Sequence, residues 1–187
     1  MIREEALKIL HDNMQFVNLR RHCYAVEAVM RALAGRLGGD MAKWGVVGLL
    51  HDGDYEKTKD TAGEHTLLMH EWLKNAGETD EEILNAILSH NYSVTGKRAP
   101  GSRMEWALYC CDELTGFIVA VALVRPDRKL ASVTVESIMK KWDQLAFAAA
   151  VDRKQIEMCE EKLGIPLQEF VGIALGAMQG IANDLGL

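Results

Sequence analysis

From Trp106 to Val124 the chain is apolar nearly all the way round a helix, yet Asp112 and Glu113 stand inside that stretch. A helix with no polar face has to be central, because every side of it needs cover from water. Asp112 shares a face with Leu108, Thr115 and Val119 at helical spacing. A carboxylate in that position is costly to bury unless a cation or strong hydrogen-bond donors meet it. A buried arginine could meet it, and so could a metal ion. The choice depends on what the rest of the chain offers.

It offers histidines. An apolar run, Trp44 to Leu50, ends in His51-Asp52, followed by Gly53 and Asp54. Adjacent helical residues point about 100° apart, so two neighbours rarely share one small ligand. A helix end relaxes this limit, and Gly53 is expected to let the backbone turn there. His22 lies on the stripe of Ala25, Val26, Val29 and Leu33, a position that also suits an ordinary packed histidine. His65 falls in the first turn of a later helix, and His90 ends the next one. His70 is five residues beyond His65. It therefore diverges from His65 by roughly 140° and reads as structural, as does His11. With four histidines in view, a metal is the better partner for Asp112 than an arginine.

Helical spacing and capping signals place helices at about 3–18, 20–37, 41–51, 64–75, 80–90, 102–124, 134–142, 144–163 and 166–185. Gly38-Gly39 and Gly164 are stop signals, Asp40 is an N-cap, and Pro166 suits a first helical turn. No segment reads as a strand; Thr134-Val135 is nearest and too short. The expected fold class is all-α, as a single globular domain over 1–187 with a core at about 18–125 and extra C-terminal helices at about 126–187. No cluster of ligand-type residues follows residue 127, so that extension reads as scaffold or as a wall of the pocket.

Apolar residues are 49% of the chain, enough for a real core, and the net charge is −6. The basic residues are scattered, which argues against a nucleic-acid partner. A modest negative charge leaves an anionic substrate open, because a bound cation reverses the local field. Lys97-Arg98, in the loop after His90, could meet a phosphate or simply be solvated. The four cysteines, Cys23, Cys110, Cys111 and Cys159, form no CxxC pair and are expected to be reduced, in a cytoplasmic protein. Met1–Glu5 lacks a signal-peptide pattern, and the apolar stretch reads as a buried helix with no membrane partner.

In chain order the ligand types are His22, His51-Asp52, His65, His90 and Asp112. Nitrogen and carboxylate donors in this mixture suit Fe, Mn or Zn better than Mg, which prefers oxygen. Arg21-His22, Leu50-His51-Asp52-Gly53 and the aspartate of Ala107–Asp112 resemble the HD-domain metal-dependent phosphohydrolases over roughly 18–125. The resemblance maps that family's core quartet onto His22, His51, Asp52 and Asp112. In branches with two ions, His65 and His90 fall where the additional histidines would. There Asp52 bridges, His22, His51 and Asp112 hold one ion, and His65 and His90 hold the other.

The chain departs from the common His-Asp-Ile-Gly form, having His-Asp-Gly-Asp, which puts Asp54 where many relatives have an apolar or basic residue. The implied activity is hydrolysis of a phosphate ester, either a nucleotide or a small phosphorylated metabolite, at one or two divalent ions. Asp52 would be catalytic, Asp54 the candidate general acid, and Lys97 and Arg98 the candidate phosphate contacts. The alternative is a degenerate HD protein that binds a nucleotide or partner without turnover. Either a monomer or a homodimer is compatible with the sequence.

Overall fold

A computed structural model describes residues 1–187 and contains helices and turns with no strand. The helices are α1 (Arg3–Asn13), α2 (Val17–Leu37), α3 (Met41–Leu50), α4 (Tyr55–Thr58), α5 (Leu67–Asn75), α6 (Glu81–His90), α7 (Tyr92–Thr95), α8 (Arg103–Leu123), α9 (Val135–Trp142), α10 (Arg153–Leu163), α11 (Leu167–Gly180) and α12 (Ala182–Leu185). The all-α expectation is met. α8 is the central helix, with α2, α3, α6, α9, α10 and α11 packed on it. Its length and apolar character alone would allow it to cross a membrane, but its sides are taken by these neighbours. One continuous apolar core runs from Ala6 in α1 to Leu185 in α12. All four cysteines are buried and unpaired.

Several helix ends follow from local chemistry. Gly38 closes α2 at φ 72°, a left-handed conformation that glycine adopts without a Cβ penalty. Asp40 then caps α3 by accepting from the amides of Ala42 and Lys43. Ser102 and Glu105 cap α8 reciprocally.

α2 and α3 approach closely at Gly48, where a Cβ would lie 2.9 Å from the Val26 carbonyl oxygen and 3.0 Å from Glu27 Cα. That contact sets the distance between His22 on one helix and His51 at the end of the other.

Two boundaries differ from the periodicity. The first helix stops at Asn13, not near 18, because Met14 is extended and buried and its carbonyl accepts from Arg20 Nε at 2.6 Å. The helix expected from 144 begins only at Arg153. Ala148 has φ +46°, and the Arg153 guanidinium takes the carbonyls of Trp142, Gln144 and Phe147 while stacking over Phe117. Tertiary contacts override the helix propensity of the alanine-rich run here. The same loop brings Val151 toward α8, and the Asp152 amide donates to Glu113.

Candidate metal centre

Four histidines and two aspartates converge from five separate places. His22 comes from mid-α2, and His51 and Asp52 from the turn closing α3. His65 comes from the turn before α5, His90 from the end of α6, and Asp112 from mid-α8. Gly53 does not adopt a left-handed conformation. It is instead a close-approach position, since a Cβ there would lie 2.7 Å from Met69 Sδ. The turn is made by hydrogen bonds from Gly53 N to Leu50 O and from Tyr55 N to Asp52 O.

The two oxygens of Asp52 face different histidines, while Asp112 and His51 also reach across to His90. Its Oδ2 is 3.6 Å from both His22 Nε2 and His51 Nε2. Its Oδ1 is 3.1 Å from His65 Nε2 and 3.2 Å from His90 Nε2. Asp112 Oδ1 lies 2.9 Å from His22 Nε2 and 3.4 Å from His51 Nε2. Asp112 Oδ2 lies 3.9 Å from His90 Nε2. The ligand-type atoms of His22, His51 and Asp112 lie within 4.8 Å of one another, as do those of His51, Asp52 and His90.

For three of the four histidines the outer ring nitrogen explains why the inner one faces the cluster, whereas His90 Nδ1 is buried without a partner. His51 Nδ1 donates to the Gly48 carbonyl at 2.8 Å. His65 Nδ1 donates to Asp54 Oδ1 at 2.7 Å. Thr115 gives its hydroxyl proton to the Asp112 carbonyl, so at 3.3 Å it can accept from His22 Nδ1. With protons on those outer nitrogens, each Nε2 presents a lone pair. Lone pairs from these rings and two carboxylates then point into one small volume. That arrangement is repulsive by itself and is stabilised by cations, so the donor set fits divalent metal.

In the metal-free chain, protons stand in for that charge. Burial alone would lower His22, but its bond to Asp112 and the nearby charge of Asp52 outweigh it and lift the pKa to about 9. His65 is likewise disfavoured by burial and lifted to about 9 by Asp52 and Asp54. Burial would raise both site aspartates, but Asp52 is held well below the usual carboxylate range by His51, His65 and His90. Asp112 is held low by His22 and His51. These are the same contacts seen from the other partner.

The sign of the pH effect follows. His22 and His65 hold protons more tightly folded than at their ordinary 6.5, so their contribution is complete below about pH 6.5 and lost as pH rises through about 9. Metal must displace those protons. Thermal melts with chelator should therefore weaken between pH 6.5 and 9, while metal affinity measured by titration rises across the same window. Affinity flat over that window would show that the two histidines are not ligands.

The remaining candidates are placed as follows. Asp54 is fully buried, with Oδ1 on His65 and Oδ2 accepting from the Met69 amide at 2.9 Å. Both of its oxygens are engaged, so it orients His65, and it does not line the cleft beside the cluster. Arg98 is paired with the buried Glu105 at 2.9 Å, and Lys97 is exposed. Neither lines the cleft beside the metal cluster. His70 stays outside the cluster, and His11 bonds the Tyr24 hydroxyl.

That cleft has a volume of about 360 Å³. Besides the residues of the cluster it is lined by Tyr55, Asn91, Ser93, Glu113, Gly116, Val151 and Gln155. Sequence reading did not single these out for a site. Periodicity carries no trace of them, because Gln155 and Val151 arrive through the loop that Arg153 pins. Asn91 also supports the site from behind, donating to the carbonyls of Ala62 and His65.

A family model for the HD domain matches residues 19–148. The chain belongs to the HD-domain family. Comparison with curated proteins and with solved structures gave no match. The family match extends past α8 to the loop that carries Phe147, and it covers every ligand-type residue of the cluster. Membership in this HD family accounts for the order His22, His51-Asp52, Asp112 along the chain and agrees with a metal-dependent hydrolase type.

Proposed function

We propose that this HD-domain chain is a metal-dependent phosphohydrolase that cleaves a small phosphate ester, with Asp52 placed where it would be shared by two divalent ions. The observation that carries the reading is the division of Asp52: Oδ2 toward His22 and His51, Oδ1 toward His65 and His90. His22, His51 and Asp112 would hold one ion, and His65 and His90 the other. Iron, manganese or zinc suits this nitrogen-rich set better than magnesium. Bound ions would supply Lewis acidity toward phosphoryl oxygens and acidify a water.

The chain's own residues do the rest. Gly48 O, Asp54 and Thr115 fix three imidazoles in the tautomer that presents Nε2. No lysine or arginine lines the cleft, so charge on a phosphoryl group there would have to be met by bound ions. This favours a singly phosphorylated ester over a polyphosphate, which would bring more negative charge than the cleft can balance.

Hydrolysis of a panel of phosphate monoesters, before and after chelation and after adding back Mn²⁺, Fe²⁺ or Zn²⁺, tests the proposal. Activity that disappears with chelator and returns with metal is expected. Metal-loaded protein that binds esters without turning any over would favour the binding-only alternative.

Asp54→Asn keeps the size of the side chain but leaves one uncharged acceptor where the carboxylate serves both His65 Nδ1–H and the Met69 amide. It should weaken the ion at His65 and His90 roughly 10- to 100-fold, read as the second phase of a metal titration, and spare the first. Equal weakening of both phases would contradict the division about Asp52.

A further inference from the structure

α8 carries a stripe that leads away from the metal cluster. Asp112, Gly116, Val119 and Leu123 follow one another at helical spacing along a single face. The rest of the helix is largely buried, but Gly116 is exposed and Leu123 is 51% exposed. Glycine inside a helix is unfavourable by about 1 kcal/mol relative to alanine. Packing does not demand it here, since a Cβ at Gly116 would meet nothing within 4 Å. Gly176 and Gly180 in α11 also face open space, but neither lines this cavity or the metal cleft.

Gly116 lies at a junction. A second cavity of about 360 Å³ lies between α2 and α8 and is bordered by residues 185–187. It shares Gly116 and His22 with the metal cleft. The His22 ring stands between the two, with Nε2 toward Asp112 and Nδ1 toward Thr115, which lines the second cavity. Beyond the junction the walls are Ala25, Val119, Leu123, Leu185 and Leu187, with Asn18 and Arg21 polar. A side chain at 116 would stand on the edge that the two cavities share.

We propose that this second cavity is a substrate subsite, taking the apolar body of a phosphate monoester whose phosphoryl group sits in the metal cleft. The proposal rests on the phosphohydrolase reading above. Three observations converge on it: a helix glycine that packing does not require, a shared wall with the cluster, and a mainly apolar lining continuous with a ligand-bearing face. The metal cleft itself holds no lysine or arginine, which fits one phosphoryl group there, and Arg21 is the one cation in the lining of the second cavity.

Calorimetric binding of ethylphosphonate, butylphosphonate and octylphosphonate to Mn²⁺-loaded protein tests it without turnover. Octylphosphonate should bind at least about tenfold tighter than ethylphosphonate, because each buried methylene can add up to about fourfold. Gly116→Leu should bring the octyl-to-ethyl ratio close to one. Leu123→Ser, at an exposed position, should lower the ratio severalfold even if the first variant does not fold. Equal affinities for the three phosphonates in the wild-type protein would overturn the subsite, as would adenosine monophosphate binding tighter than octylphosphonate. A folded Gly116→Leu protein that keeps the wild-type ratio would also overturn it. Parallel assays with octyl and ethyl phosphate separate the two claims. Chain-length-dependent binding with no hydrolysis leaves the subsite and removes the phosphohydrolase reading; hydrolysis with no chain-length dependence does the reverse.

Discussion

Asp52→Ala is expected to lose both ions together and to lower phosphate-ester hydrolysis by roughly a thousandfold or more, with far-UV circular dichroism unchanged. Asp52 is the one side chain whose two oxygens face different histidine pairs. Removing it takes a ligand from each half at once. The helices should survive, because they are held by the apolar core from Ala6 to Leu185 and the Asp52 carboxylate makes contacts within the cluster. His65→Ala should remove one ion and leave the other. His70→Ala should remove neither, since its ring lies outside the cluster. Elemental analysis of the purified variants reads all three. An Asp52→Ala protein that retains one full equivalent of metal would show that the carboxylate does not bridge.

Gly48→Val should have the largest effect on stability. The added Cβ would press on backbone atoms of Val26 and Glu27 at 2.9 and 3.0 Å, and backbone cannot rotate out of the way as a side chain can. Overpacking of this kind destabilises by about 1–3 kcal/mol, and more where backbone must move. The consequence reaches the site. The Gly48 carbonyl accepts from His51 Nδ1, and the α2–α3 spacing sets the 3.2 Å separation between the Nε2 atoms of His22 and His51. Metal affinity should therefore fall along with the melting temperature. Gly45→Ala is the control: its Cβ would meet the Arg31 side chain, which can move. If Gly48→Val melts and binds metal like the wild type, the close approach does not position the site.

What could be read in advance was the part written in periodic pattern and residue type. A near-continuous apolar helix interrupted by Asp112 forced both the central position of α8 and the need for a counter-charge. Helix ends were legible where a cap residue marks them, as at Gly38 and Asp40. They were not legible where one side chain gathers carbonyls from a distance, as Arg20 does at Met14 and Arg153 does beyond Trp142. Chain order suggested Asp54 as an acid because it follows Asp52 closely. Its burial and its bond to His65 depend on how the turn folds against α5, which sequence spacing does not encode. Lys97-Arg98 was a plausible phosphate contact by charge, but Arg98 is drawn to Glu105, a residue already fixed by the cap of α8. The opposite wall of the cleft, with Glu113 and Gln155, comes together only through the packing of α10 on α8.

The central claim is that imidazoles and carboxylates from distant parts of the chain close around two cations that share Asp52. Crystals of the Mn²⁺-loaded protein, measured for anomalous scattering, test it most directly. Two neighbouring peaks are expected, one within bonding reach of His22, His51 and Asp112, the other of His65 and His90, with an Asp52 oxygen on each. A single peak with Asp52 turned away from it, or no peak among these six side chains, would contradict the claim.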